Sequence, residues 1–399
     1  MRTVPAVVTA GLAYLIVACA LPSAPGMAQS SARAPDLALA GTGIALRIAC
    51  TESALREAFD KVAAAGSGRI TFDCANTTIG MTLENNLVFR GHDMVLDGEQ
   101  RNITLRYTGP QACDQTEGQN RLEIFGDRNT IRNLTIHGFP DGIHFQAGDG
   151  NVADNLRFPV ICEDAVTTGG RGFIATNTVV RHSYFYGATD KAIMLSDGSS
   201  VTIERSEFVN CQQPIRNGGR RGRAVVRDNL FRGTSSGVRF DGGAQGWFLV
   251  FEGNAVSDAS FGIRVYGDAQ AAIQRNTFRR GTRTGRAVGV YVFNRGRARL
   301  SDNSVTGYGN GPDSHAVLIQ DSAQVDLGGG RVEIDGTSDA SPGRNTFRNG
   351  RRGAPHDVRN ESTTAIKAEG NSWDHVAVLE VEQYDVFGPV DVDPLNRTP

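Results

Sequence analysis

Polar and apolar positions alternate along most of this chain in a short phrase: a small residue, a β-branched aliphatic, then a variable residue. The phrase occurs at Gly142-Ile143, Ala165-Val166, Ala192-Ile193, Pro214-Ile215, Gly237-Val238, Gly262-Ile263, Gly289-Val290, Ala316-Val317 and Ala365-Ile366. Successive spacings are 23, 27, 22, 23, 25, 27, 27 and 49 residues, the last about two units. A second phrase, Asn or Ser leading a strand, runs in parallel: "NLTIHG", "NLRF", "SYFYG", "SEFVN", "NLFRG", "NAVSD", "NTFRR", "NSVTG", "NTFRN" and "NSWDH". A unit of this length with two or three short strands cannot bury a core alone and needs a neighbour above and below. Asn at a fixed turn position bonds backbone, tolerates the αL conformation and stacks on its counterpart in the next coil. Leucine-rich repeats share the period, but their leucine consensus is absent. The pattern predicts an all-β right-handed parallel β-helix of about ten to twelve coils.

Elsewhere the period changes. "TESALREAFDKVAAAG", Thr51 to Gly66, opens on a capping-box-like Thr51 and carries apolar residues at helical spacing, predicting a helix over the open first coil. "NSWDH" and "GPVDVDP", with Pro394, predict a terminal coil and tail. About Gly336 to Asp357 is expected to be an irregular excursion.

Composition narrows the class. With 399 residues and no inter-domain linker, residues 51–399 are expected to form one β-helix domain, preceded by a leader over 1–28 and a segment over 29–50. Arg2, the apolar run from about Ala6 to Leu21 and the small residues of "SAPGMAQS" suit a signal peptide cleaved after Ala28. "IVAC" offers the alternative of lipid attachment at Cys19. No segment is long and apolar enough to suggest a membrane span. The expected setting is therefore secreted, extracellular or periplasmic, as a monomer. Cleavage would leave Cys50, Cys74, Cys113, Cys162 and Cys211, an odd number that leaves a free thiol. Cys50 and Cys74 flank the helix and are the expected pair. A net charge of −2 argues against nucleic acid as a partner, and no stacking aromatics are evident near the arginines. Of 41 basic residues only Lys61, Lys191 and Lys367 are lysine, which makes Lys191 conspicuous as a titratable amine.

The repeat acts as a ruler for the charged residues. The position before the small residue is Asp141, Asp164, Lys191 and Gln213 in four successive coils, which puts them in one column. Glu163 and Asp190 fall in the adjacent column, and His144, Thr167, Met194, Arg216, Arg239 and Arg264 in an outward one. Asp141, Glu163, Asp164 and Asp190 would thus share a ledge, where either their pKa values rise or a hard cation binds; oxygen ligands alone suit Ca²⁺. Asp and Glu that merely end turns are the plainer alternative.

"DGIHF", "CEDAVT", "ATDKAIM" and "PIRNGG", in that order, resemble polysaccharide lyase family 3, the pectate lyases of the pectin-lyase-like β-helix superfamily. The resemblance covers about Asp141 to Gly219. It implies that Asp141, Glu163, Asp164 and Asp190 bind Ca²⁺ and that Lys191 and Arg216 are the catalytic cations of β-elimination on polygalacturonate. Two further lysines of that family are replaced here by Gly169 and Gln213. Lys191 is the first choice of base if its pKa is lowered, with Arg216 neutralising the substrate carboxylate; the two roles could be exchanged. The alternatives are a uronan epimerase, a polygalacturonase-like hydrolase, and a non-catalytic cell-surface protein binding acidic polysaccharide along an arginine track.

Overall fold

The computed structural model describes residues 43–393 except 83–84, 110–120, 171, 243–245, 282–284, 309–312 and 349–355. The expected leader, Cys19, Cys113 and Pro394 lie outside the described residues. Among the described residues no helix is long and apolar enough to cross a membrane.

Three parallel sheets of 14, 13 and 11 strands run through residues 44–391, each strand pairing with its counterparts one repeat earlier and later. Because every coil offers its inward side chains to the same axis, identical residues stack: Phe158, Phe185, Phe208 and Phe231 have ring centroids 4.7 to 5.0 Å apart. That spacing is the strand-to-strand distance itself. The first eight phrases form the inward ladder of the 13-stranded face, from Ile143 opposite Val166 to Val290 opposite Val317. The ninth does not. Ile366 pairs with Val390 in the 14-stranded face, and the residue that follows Val317 in the ladder is Val358. A small residue before a β-branched one suits the inward side of any sheet, so the phrase cannot by itself say which.

The Asn and Ser positions form a ladder of side chain to backbone bonds. Ser206 N donates to Asn229 Oδ1, and the chain continues through Asn254, Asn276, Asn303, Asn345 and Asn371 at 2.9 to 3.0 Å. The αL conformation, however, belongs to the residue before the ladder: Asp228, Arg275, Asp302 and Arg344 have φ of 55° to 58°. Among the described residues, the Asn that leads the phrase is itself left-handed only in the earliest coils, at Asn133 and Asn155.

The N-terminal helix spans Glu52–Ala65, with Thr51 Oγ1 accepting from Ala54 N and Gly66 closing it at φ 81°. Leu55, Ala58, Phe59 and Val62 seal the first coil. Cys50 is bonded to Cys74. Cys162 is also in a disulfide, and the free cysteine among the described residues is the buried Cys211. The irregular excursion begins at Gly329, earlier than the sequence suggested, and lies against the 14-stranded face. At the other end a helical segment over 378–385 and two short strands, Val386–Phe387 and Val390–Asp391, follow the last coils.

Candidate functional site on the 13-stranded face

The expected columns form. Asp164 is the register partner of Lys191, and Lys191 of Gln213. Asp141 precedes them, its Oδ1 accepting from Asp164 N at 3.4 Å. The neighbouring column holds Glu163 and Asp190, whose carbonyls accept from the backbone N–H of Lys191 and Gln213. His144, Thr167, Met194, Arg216, Arg239 and Arg264 follow one another on the outward side.

The side chains within those columns are arranged as ion pairs. Lys191 Nζ lies 3.2 Å from Asp164 Oδ1 and also donates to Asp190 Oδ2, and its side chain is only 9% exposed. Gln213 Nε2 donates to Asp190 Oδ1 at 3.2 Å. Asp141 is held by Arg121, Nη1 to Oδ2 at 3.1 Å, and Arg121 also reaches Glu123. Arg121, 4% exposed, went unnoticed in the sequence because nothing in the repeat marks the position before Leu122 as a partner of Asp141.

Electrostatics divide the pair. Burial, opposed by Lys191 but reinforced by Asp141 and Asp190, pushes the Asp164 carboxyl up to about 7. Burial pulls Lys191 down, but Asp164 and Asp190 together outweigh it and raise the amine. Lys191 is therefore held protonated, the reverse of what a resting-state base requires. Asp164 Oδ2 lies toward the outward column, 3.5 Å from Thr167 Oγ1.

Asp141, Asp164 and Asp190 do not gather into a cage. Asp141 turns to Arg121 while Asp164 and Asp190 turn to Lys191, and among the described residues no three His, Cys, Asp or Glu side chains are grouped to hold a metal ion. Ca²⁺ needs six to eight oxygens. As arranged, Asp141, Asp164 and Asp190 direct carboxylate oxygens at Arg121 and Lys191. Gly169 takes φ 69°, and a Cβ built there would fall 2.5 Å from Ser199 Oγ, so a lysine in its place would be strained.

Arg216 pairs with Met194, one rung on from Lys191 and three positions along. It opens a run of three guanidinium groups on consecutive rungs, Arg216, Arg239 and Arg264, none of which has a salt bridge among the described residues. The Nε atoms of Arg216 and Arg264 are buried without a hydrogen-bond partner among the described residues. Burial, then the charges of Arg239 and, more weakly, Arg216, hold Arg264 below the usual guanidinium range.

Aromatic residues flank these cations, contrary to the expectation that none would stand nearby. Arg239 Nε donates to Tyr266 Oη at 2.6 Å, and Arg264 lies over the Phe261 ring at 4.9 Å. Tyr266 stacks on Phe293 at 4.7 Å, and Phe293 on Tyr291 at 4.4 Å. Tyr266 and Phe293 are two residues past the outward column, on the same side of the sheet. That two-residue offset was the available signal.

Comparison with known proteins yields no match among curated sequences. Solved structures similar in fold include an alginate lyase from Paenibacillus sp. str. FPU-7, 16% identical, with a TM-score of 0.45, covering 70% of this chain and 99% of that one. A surface adhesin of Streptococcus pneumoniae, PfbA, is 14% identical with a TM-score of 0.45, over 68% of this chain and 85% of its own. An endo-xylogalacturonan hydrolase from Aspergillus tubingensis is 15% identical with a TM-score of 0.45, over 80% and 99%. Residues 70–231 and 215–372 match the family described as right handed beta helix region. With its strand ladders stacked coil upon coil across that whole span, the chain belongs to the right-handed β-helix family.

Proposed function

We propose that the 13-stranded face is the working surface of a secreted lyase that cleaves uronate polysaccharide by β-elimination. One observation carries this: a buried Asp164–Lys191 pair lies in register one rung from three stacked arginines that have no carboxylate partners among the described residues. Uncompensated cations at about 4.8 Å intervals attract a polyanion whose charges also recur regularly. Arg216 lies nearest and would neutralise the carboxylate at C5, lowering the cost of removing the adjacent proton. The sequence resemblance to family 3 polysaccharide lyases supports the same chemistry.

In this reading the protonation states suit a division of labour. Asp164, poised near neutrality, takes the C5 proton. The electron pair becomes the C4–C5 double bond as the C4–O4 bond breaks, and Lys191 gives its proton to the departing oxygen. Proton return from Asp164 to Lys191 across 3.2 Å restores the pair. Arginine rather than calcium supplies the positive charge in this scheme, since Asp141, Asp164 and Asp190 are committed to Arg121 and Lys191.

Incubation with polygalacturonate and, separately, alginate should release products absorbing in the ultraviolet, in the presence of either Ca²⁺ or chelator. Lys191→Ala should abolish release while far-ultraviolet circular dichroism stays unchanged. Tight polymer binding with no unsaturated product, insensitive to Lys191→Ala, would instead select an adhesive role.

A further inference from the structure

A cavity lies away from this face, where the excursion after Gly328 folds back over the 14-stranded sheet. Two contacts fasten it there. Arg223 Nη1 meets Asp335 Oδ2 at 2.5 Å across 112 residues of sequence, and Asp335 N donates to Gln270 Oε1 at 2.8 Å. Behind this strap Arg299 Nη2 bonds the carbonyls of Val332 and Thr337, and Ile334 is buried. The space beneath is about 410 Å³.

Its lining is chemically mixed. Phe248 and Ile174 give an apolar wall, and Arg223 stacks 4.4 Å over the Phe248 ring. Ser200 and Gln270 bring hydrogen-bonding groups. Trp247 is 1% exposed, and its indole Nε1, a donor only, has no hydrogen-bond partner among the described residues. The indole packs over Gly222, where a built Cβ would fall 2.3 Å from the ring. Charge does not cancel: Asp335 offsets Arg223, but Arg221 is exposed and has no salt bridge among the described residues.

We infer that this cavity binds one anionic sugar unit, its carboxylate on Arg221 and its hydroxyls on Asp335, Gln270 and Ser200. One net positive charge, an aromatic wall and several short polar groups match a single uronic acid, not a polymer lying across a ridge. The choice of a uronic acid among sugar acids rests on the reading of the 13-stranded face; the site does not. It would hold a free product or the terminal unit of a chain.

Trp247 reports on the site directly. In a Trp373→Phe background, which removes the other tryptophan, galacturonate, glucuronate and mannuronate are titrated against indole fluorescence, with calorimetry in parallel. Saturable binding of at least one is expected, weakened about tenfold or more by Arg221→Ala, the loss of a charge-assisted contact. Lys191→Ala should leave it unchanged, so failure of the lyase reading and failure of this one are separable. A trigalacturonate arm distinguishes product from chain end: tighter binding than the monomer selects the terminal unit, equal binding the free sugar. Either outcome supports the site. Absence of saturable binding, equal binding of galactose or of acetate, or indifference to Arg221→Ala would overturn it.

Discussion

At the scale of single residues, the Asp164–Lys191 pair has consequences for pH. Asp164 has a folded-state value of about 7, above its ordinary carboxylate value, so the folded chain binds this proton more tightly than the unfolded one. Its stabilising contribution is present at low pH and is lost as pH rises through about 7. Activity has the opposite sense, because only the ionised carboxylate accepts a proton. The kcat/KM profile should rise with an apparent pKa near 7 and stay high until Lys191, itself raised, begins to deprotonate in the alkaline range. Asp164→Asn should lower kcat by about 10²-fold or more, as for loss of a general base, with KM little changed. A flat profile from pH 5 to pH 9, measured by initial rates of ultraviolet absorbance, would contradict the assignment.

At the scale of elements, the Asn ladder ties neighbouring coils by bonds that repeat with little variation. Asn276 Oδ1 accepts from Asn254 N at 2.9 Å, and its Nδ2 donates to the carbonyl of Phe251 at 2.8 Å and to Asn303 Oδ1 at 3.0 Å. Truncation strands buried donors and acceptors on both adjoining rungs. Asn276→Ala should cost roughly 2–4 kcal/mol, seen as a lowered denaturant midpoint. Since each coil rests only on its neighbours, an interior break should also make unfolding less cooperative. The ladder was legible in the sequence because Asn recurs before a strand. Which residue adopts αL was not: the turn needs positive φ one position earlier, and Asp, Arg, His and Gly all occur there.

At the scale of the whole molecule, stacking turns sequence distance into an axial coordinate. Arg216, Arg239 and Arg264 thereby become a continuous positive strip bordered by Tyr266, Tyr291 and Phe293. Binding of polygalacturonate should weaken steadily with ionic strength, because part of the attraction is screened over a Debye length of about 8 Å at physiological salt. Arg239→Ala should weaken it about tenfold at low salt and flatten that dependence, as read by affinity electrophoresis at several salt concentrations. Unchanged mobility in the variant would show that the polymer does not follow the strip. The same stacking lets the excursion after Gly328 reach Arg223, an encounter that no repeat announces.

The sequence by itself determined the β-helix, its N-terminal cap, the Cys50–Cys74 pair and the columns that align Asp164 with Lys191, because inward stacking at a fixed strand spacing leaves one register that buries the aliphatic residues. Only the tertiary structure decided how the charged side chains use that register. Arg121 captures Asp141, Lys191 captures Asp164 and Asp190, and the three arginines have no acid partner among the described residues. The physical reason is that backbone periodicity fixes Cα positions to within a rung. Pairing among long charged side chains is settled instead by burial and by whichever opposite charge lies within about 4 Å, and neither is written in the repeat.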